Sequence, residues 1–549
     1  MKQKFLFFIY LIVLILPNLI LCITENMPIR GKMALVLLPL GVYWTTLSLF
    51  PKLSKTLWWM FPVLFLGAFN IVLSYLFGRG VIAVDMWLNL TTSSPDEMGE
   101  MLSQIFPAVV AVVVIYLPTL IYATYDVNKG DILPSTFRGM QKKIGLTLTA
   151  ISLPMMLGIN NWSIKDDLFP INVCYNLKLA IKRQHFSEKY LEDSKNFMFN
   201  AKACDTDSIA KVVVLVIGET GRACNWQLYG YERETTPLLA KTENLVVFTD
   251  CMSQSNTTHK SVPILLSPAT AENYDVLYHS KGVLAAYNEA GYHTVFISNQ
   301  PRNKSFNDHL GEQAKEVRFL RDNNEKTPQD LQLLPEIEKA LKRNTGNMLL
   351  VIHTYGSHST YSDRYDESDA HFTPHVAPRS TKKYRETLSN AYDNTIRYTD
   401  IVLSQVISSL QNNNRAVAML YASDHGEDIY DDRRNLFLHA SPWPSYFQLH
   451  VPMFVWTNDT YRQLYSERVA LMQERTTEPL QTDCIFPTLL GLGGIKTPYG
   501  QDSLALTSTE YQTKQQRTYL SDHNEALTFD RCLDTKDIMQ MKQRGLRTY

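Results

Sequence analysis

The chain has no basic excess. Its 53 lysines and arginines face 54 aspartates and glutamates, a formal net charge of −1 over 549 residues. Nucleic-acid binders normally carry a basic stripe for the phosphate backbone, and none is present, which excludes nucleic acid as a partner. Internal repeats and low-complexity tracts are also missing, which excludes a repeat architecture. No small-x-small cleavage site follows the first apolar run, so that run reads as a membrane anchor and not as a cleaved signal peptide. Charge is missing altogether from four stretches, Phe5–Cys22, Met33–Phe50, Leu57–Phe77 and Pro107–Tyr125. Each is about 18–21 residues long, enough to cross a hydrocarbon core roughly 30 Å thick. A shorter fifth stretch, Ile144–Gly158, completes an expected set of five transmembrane helices.

Orientation follows from the positive charges, because short loops rich in lysine and arginine stay in the cytoplasm. Lys2 and Lys4, Lys52 and Lys55, and the group Lys129, Arg138, Lys142 and Lys143 mark inside segments, whereas 78–106 carries Asp85, Asp96, Glu97 and Glu100. Five spans that start inside end outside, so the remainder is expected to face the periplasm. We read 1–159 as the transmembrane domain, 160–207 as a bridging linker and 208–549 as the exported domain. Within the linker, Phe169–Gln184 has the pattern of a basic amphipathic helix, suited to a membrane surface or to packing on the exported domain. Cysteine is sparse: Cys22 ends the first span, and the other six (Cys174, Cys204, Cys224, Cys251, Cys484, Cys532) follow the last one. An even number in an oxidising compartment predicts up to three disulfides.

From Lys211 onward, short apolar runs alternate with helix-length segments. K-V-V-V-L-V-I-G (211–218), H-T-V-F-I-S (293–298), N-M-L-L-V-I-H (347–353) and A-V-A-M-L-Y-A-S-D-H (416–425) read as buried strands, and L-V-V-F (245–248) as a further one. Alternation of this kind predicts an α/β domain with a mostly parallel central sheet between helices. Ligands in such sheets sit beyond the carboxyl ends of the strands. There the chain places Glu219, His353, His358, Asp424 and His425, with His439 shortly after. Carboxylate oxygens and imidazole nitrogens without cysteine suit a zinc or manganese ion. A lone Glu219 has the alternative reading of a helix cap; Asp424-His425 followed by glycine is harder to explain that way. The stretch S-Q-S-N-T-T-H-K-S-V-P (253–263) supplies Thr257, Thr258 and Ser261 as hydroxyls that a metal could activate as nucleophiles.

Taken together, I-G-E-T (217–220), L-Y-G-Y-E-R-E-T-T-P (228–237), T-T-H-K-S-V-P (257–263), G-S-H (356–358), A-Y-D-N-T-I-R-Y-T-D (391–400), S-D-H-G-E (423–427) and L-H (438–439) resemble the phosphoethanolamine transferases of Gram-negative bacteria. That family includes lipid A modifying and mobile colistin-resistance enzymes within the alkaline phosphatase and sulfatase superfamily. The resemblance implies Thr258 as nucleophile and Glu219, Thr258, Asp424 and His425 as ligands of one catalytic zinc. It implies His358 and His439 around the phosphoethanolamine group or a second zinc, with His353 a weaker candidate there. Lys260 is a candidate for holding a phosphate.

The implied donor is phosphatidylethanolamine, and the implied acceptor is lipid A, lipopolysaccharide or another envelope glycan. The implied setting is the bacterial inner membrane, with the catalytic domain in the periplasm and the protein a monomer. Relatives carry cysteines around the threonine loop; here Gln254 and Ile264 stand near those points, and Cys224 with Cys251 is the substitute pair to consider. Within the superfamily the alternative is a membrane phosphoglycerol transferase resembling lipoteichoic acid synthases; outside catalysis it is a lipid or glycan receptor that kept the fold. A sulfatase would need arginine after Ser261-Val262-Pro263, where Ile264 and Leu265 stand.

Overall fold

A computed structural model describes residues 2–25, 27–77, 82–92, 95–129, 131–159, 162–205, 208–323, 329–411 and 413–549. The expected domain boundaries at 160 and 207 lie outside the described residues. The chain forms two compact units, one comprising 1–88, 95–181 and 432–437 and the other 89–94, 182–431 and 438–549.

The first unit is helical: α1 (Lys2–Thr24), α2 (Ile29–Leu49), α3 (Leu53–Trp59), α4 (Phe61–Phe77), α5 (Pro95–Lys129) and α6 (Ser135–Met155). Among the described residues three helices are long and apolar enough to cross a membrane, Lys2–Thr24, Ile29–Leu49 and Ile105–Lys129. The pair α3 and α4, bent by 62°, makes a fourth if it counts as one span. Helix α6, the fifth expected span, falls short of that test because its first half carries Arg138, Lys142 and Lys143. Helices α2 and α6 approach at backbone distance. A Cβ on Gly41 would lie 2.7 Å from the Thr149 nitrogen, and one on Gly145 would lie 2.7 Å from the Thr45 nitrogen. Small residues four apart permit this in membrane bundles. The expected amphipathic helix is α7 (Ile171–Asp193), longer than its apolar pattern alone suggested.

The second unit is built on a seven-stranded sheet. Its strands are β1 (Lys211–Gly218), β2 (Leu245–Phe248), β3 (His293–Ser298), β4 (Glu316–Phe319), β5 (Met348–His353), β6 (Ala416–Ser423) and β7 (Met453–Thr457), in the order β2-β7-β6-β1-β5-β3-β4. β1 pairs in parallel with β5 and β6, β5 with β3, and β3 with β4. β7 runs antiparallel to both β6 and β2, so β2 points the same way as β6. Every residue of β1 and β6 is buried, because both faces of the sheet are covered; the β-branched runs are what such strands require. Strands β4 and β7 had not been expected from the sequence. β4 has little apolar content, and β7 is a run of only five residues.

The predicted disulfides are not formed: all seven cysteines are free thiols. Cys224 and Cys251, the pair considered, pack in two different apolar clusters, the second of which also holds Cys484 and the first Cys532. These four behave as small buried hydrophobes, and burial pushes their thiols above the ordinary range.

Candidate active site

The parallel strands end at one edge, and the candidate residues follow directly. After β1 the chain turns through Glu219 and Thr220; Thr220 has φ +59°, a left-handed conformation that a β-branched residue adopts only when its surroundings enforce it. The enforcing contacts are local. The Thr220 N–H donates to Asp424 Oδ1 at 3.1 Å, and its hydroxyl donates to Glu219 Oε1 at 2.7 Å. After β6, the His425 N–H donates to the same Asp424 Oδ1 at 2.7 Å. After β5, Gly356 (φ +47°) passes so close that a Cβ there would lie 2.7 Å from the Glu219 carbonyl oxygen.

β2 brings the remaining piece. Because it runs parallel to β6, its outgoing chain reaches the same edge. Residues 253–257 are fixed by buried hydrogen bonds: Ser253 donates to the Asp424 carbonyl at 2.5 Å, and Asn256 donates to the Ser441 carbonyl at 2.8 Å and to Gln448 Oε1 at 2.7 Å. The loop leads into helix α8 (Thr258–Leu266), which starts with Thr258.

The result is a compact group. Thr258 donates toward Glu219 Oε1 and Oε2 at 3.3 and 3.4 Å, and its Oγ1 lies 3.2 Å from His425 Nε2. His425 Nε2 lies 3.3 Å from Asp424 Oδ2. One ligand atom each from Glu219, Asp424 and His425 falls within 4.8 Å of the others. These three residues are 2%, 0% and 0% exposed, whereas Thr258 is half-buried, so the hydroxyl is the part of the group a substrate can reach.

The electrostatics of the group suits a cation. Burial, and then the facing Asp424, pushes the Glu219 carboxyl well above the ordinary carboxylate range. Asp424 Oδ2 is buried without a hydrogen-bond partner, and each such atom calls for an explanation. His425 Nδ1–H donates to the Gly426 carbonyl at 2.9 Å, which leaves the Nε2 lone pair facing the group. Two carboxylates, one imidazole nitrogen and one hydroxyl form an oxygen and nitrogen donor set that fits a zinc ion.

His439 adjoins this group, its ring 4.2 Å from that of His425 and its side chain 20% exposed. His358 is half-buried, stacks on Tyr355 at 4.7 Å and donates Nδ1–H to the Ser359 carbonyl at 3.1 Å. Burial, then Arg364 and His439, hold His358 well below its ordinary value. Two other candidates are not brought into the group. His353 is buried at the end of β5, held neutral down to about pH 3 by burial. Lys260 is buried and its Nζ donates to the Ser521 carbonyl at 2.8 Å.

The sequence reading missed Gln300, whose Nε2 donates to Glu219 Oε2 at 3.1 Å and to the Thr354 carbonyl at 2.9 Å, tying two strand ends together. Glu427, quoted in the S-D-H-G-E motif without a role, is fully buried beside His439. Gln300 had one available signal, its place two residues after β3 at the carboxyl edge.

A sheet of this order, with a carboxylate, an Asp-His pair and a hydroxyl gathered at its carboxyl edge, defines an alkaline phosphatase or sulfatase-like hydrolase or transferase domain. The Sulfatase family profile matches residues 211–495, more than half of the chain, and the chain belongs to that family. Within it, the chain is similar to phosphoethanolamine transferase EptA of Escherichia coli K12, at 33% identity over 303 residues, 53% of this chain and 54% of that protein. It thus spans about half the length of that relative. It is also similar to phosphatidylethanolamine transferase Mcr-1 of Escherichia coli, at 29% identity over 422 residues, 71% of this chain and 75% of that protein. The integral membrane lipooligosaccharide phosphoethanolamine transferase A of Neisseria meningitidis shares the fold, with a TM-score of 0.70 at 24% identity over 91% of this chain and 97% of that one.

Proposed function

We propose that the protein transfers phosphoethanolamine from phosphatidylethanolamine to a glycolipid or glycan of the cell envelope, lipid A or the lipopolysaccharide core foremost, through an ester on Thr258. The observation that carries this reading is the half-buried Thr258 hydroxyl lying 3.2–3.4 Å from His425 and Glu219, beside the unpartnered Asp424 oxygen. The names of the similar proteins supply the transferred group. The apolar helices of the first unit suit a donor and an acceptor that both reside in a bilayer, with the catalytic unit on the periplasmic side of the inner membrane.

In the first half-reaction Thr258 Oγ attacks the donor phosphorus, the bond from phosphorus to the glycerol oxygen breaks, and diacylglycerol leaves with the proton that Thr258 gives up. In the second, an acceptor oxygen attacks the same phosphorus, and Thr258 Oγ leaves and regains a proton. Glu219, Thr258, Asp424 and His425 would hold zinc, which when bound neutralises charge on phosphoryl oxygens and lowers the pKa of a coordinated hydroxyl. The protein's own part is positional. Thr220, Gly356, Gln300 and the Ser253–Asn256 loop hold nucleophile and ligands in register, so little reorganisation is left for the reaction. His439, whose ring lies 4.2 Å from that of His425, and His358 are suited to orient the head group or move protons.

The test is diacylglycerol release from head-group-labelled phosphatidylethanolamine by the full chain in detergent, with intact-mass analysis. Release together with the added mass of a phosphoethanolamine ester supports the proposal. Cleavage of phosphatidylglycerol in its place would move the protein to the phosphoglycerol transferases; bound metal with neither release would leave a receptor.

A further inference from the structure

Gln254 precedes Thr258 by one turn of extended loop and is fully buried. Its side chain meets three partners. Oε1 accepts from the Ala271 N–H at 2.9 Å, and Nε2 donates to Asp483 Oδ2 at 3.1 Å and to Thr518 Oγ1 at 3.2 Å. A backbone N–H can only donate, so the atom facing Ala271 is the amide oxygen. Thr518 gives its own hydroxyl proton to Glu272 Oε1 at 2.8 Å, which leaves its lone pairs for the Gln254 amide. The main chain is bound as well: the Gln254 N–H donates to Thr482 Oγ1 at 3.1 Å, and the Gln254 carbonyl accepts from the Leu520 N–H at 2.7 Å.

These partners bracket the helix that begins with Thr258. Gln254 comes before α8 and Ala271 after it, so one side chain joins the entry and the exit of that helix. The other partners are anchored without the loop. Lys514 pairs with Asp483, and Gln481 exchanges two hydrogen bonds with the Thr518 main chain, at 2.6 and 3.0 Å. No disulfide fixes the loop: Cys251, shortly before Gln254, and Cys484, next to Asp483, are free thiols.

We propose that Gln254 is a positioning residue for Thr258, an amide clamp that takes the place of a covalent bridge in setting where α8, and with it the hydroxyl, meets the sheet edge. The inference rests on the reading of Thr258 as nucleophile. A shift of α8 by about 1 Å moves Thr258 Oγ1 relative to Glu219 and His425, and a misplacement of that size can cost about 10²-fold in rate. Metal binding is far less exposed to such a shift, because Glu219, Asp424 and His425 lie on other segments.

The test uses the full chain in detergent with labelled phosphatidylethanolamine, measuring kcat, KM, bound zinc per chain and melting temperature. The variants are Gln254→Met, of similar volume without the hydrogen bonds; Gln254→Glu, which turns a carboxyl group onto Asp483; and Gln254→Glu/Asp483→Asn, which exchanges amide and carboxyl across the same contact. We expect Gln254→Met to lower kcat about 10²-fold, with KM within about threefold of wild type and zinc unchanged. Gln254→Glu should lose at least as much, and the exchanged pair should regain about tenfold over it, because the oxygen facing Ala271 is kept and a donor again faces an acceptor. Turnover of the wild type should stay within about twofold after treatment with a phosphine reductant, since no disulfide holds the loop. A lower melting temperature with kcat within about threefold of wild type in Gln254→Met, a loss confined to KM or to zinc content, an exchanged pair no better than Gln254→Glu, or turnover lost under reductant would each overturn the inference. If Gln254→Met fails to fold, Thr518→Val serves instead: it removes one of the three partners and should lower kcat more than about threefold at unchanged zinc, and wild-type kcat there refutes the clamp. All of these outcomes leave the Thr258 chemistry standing, whereas an active Thr258→Ala overturns the reading beneath it.

Discussion

Replacing Thr258 by alanine should separate chemistry from folding. The contacts of Thr258 Oγ1 at 3.2–3.4 Å are long for a hydroxyl donor, whose usual distance is about 2.7–2.8 Å. Their net contribution to stability is therefore at most ~1 kcal/mol. The lost methyl, at a half-buried position, adds less than ~1 kcal/mol. A cost below ~2 kcal/mol in a unit of this size lowers the melting temperature by only a few degrees. The effect on transfer is of another order. With no hydroxyl there is no ester, and the loss should exceed ~10³-fold, or ~4 kcal/mol of barrier. Thr258→Ser keeps an oxygen at the same place and should retain measurable transfer and the mass adduct. The assay is labelled diacylglycerol release beside thermal unfolding and intact mass. A folded Thr258→Ala protein within tenfold of wild-type turnover would refute the assignment.

Asp424→Asn should remove a charged ligand without a change of volume; bound zinc, measured by elemental mass spectrometry, should fall far below one per chain, and chelation of the wild type should abolish transfer until zinc is restored. Retained zinc in Asp424→Asn would argue against the ligand set. Gly356→Ala should both destabilise, by ~1–3 kcal/mol, and lose activity, because its φ of +47° is unfavourable for alanine and its Cβ would push on the Glu219 backbone 2.7 Å away; wild-type stability and turnover would show that the turn yields freely.

His450 should make stability depend on pH. Its Nε2–H donates to the Thr249 carbonyl at 3.1 Å and its Nδ1 accepts from Tyr446 at 2.8 Å; burial, with Arg517 and Arg544 nearby, holds it neutral down to about pH 3. Below its ordinary value near 6.5 the unfolded chain takes up a proton that the folded chain refuses, so stability present above that pH is lost as pH falls, by about 2 kcal/mol at pH 5. His450→Gln keeps both hydrogen bonds and should show a flatter melting-temperature profile between pH 7 and 5; parallel profiles would refute the attribution.

Much of this protein is written in local pattern. Uncharged runs of span length mark the first helices, because a bilayer tolerates nothing else, and the strands β1, β3, β5 and β6 announce themselves as unbroken apolar runs, because a sheet covered on both faces admits no polar side. The rule that ligands gather at carboxyl ends then brings Glu219, Asp424 and His425 forward without any coordinates. The choice of Thr258 over Thr257 and Ser261 came from family resemblance, since all three carry equivalent hydroxyls and spacing cannot rank them.

What only the tertiary structure decided is which distant residues meet. The cysteines follow an even count that predicts bridges, yet the fold distributes four of them between two apolar clusters as free thiols, a matter of packing that composition does not encode. Lys260 lies two residues from Thr258, but its Nζ meets the Ser521 carbonyl, because a helix turns neighbouring side chains to different faces. Glu427 and Tyr361 are 66 residues apart in the chain and share one hydrogen bond. Such pairings depend on where strands and turns deliver each side chain in space, and a linear pattern records only the ends of the path.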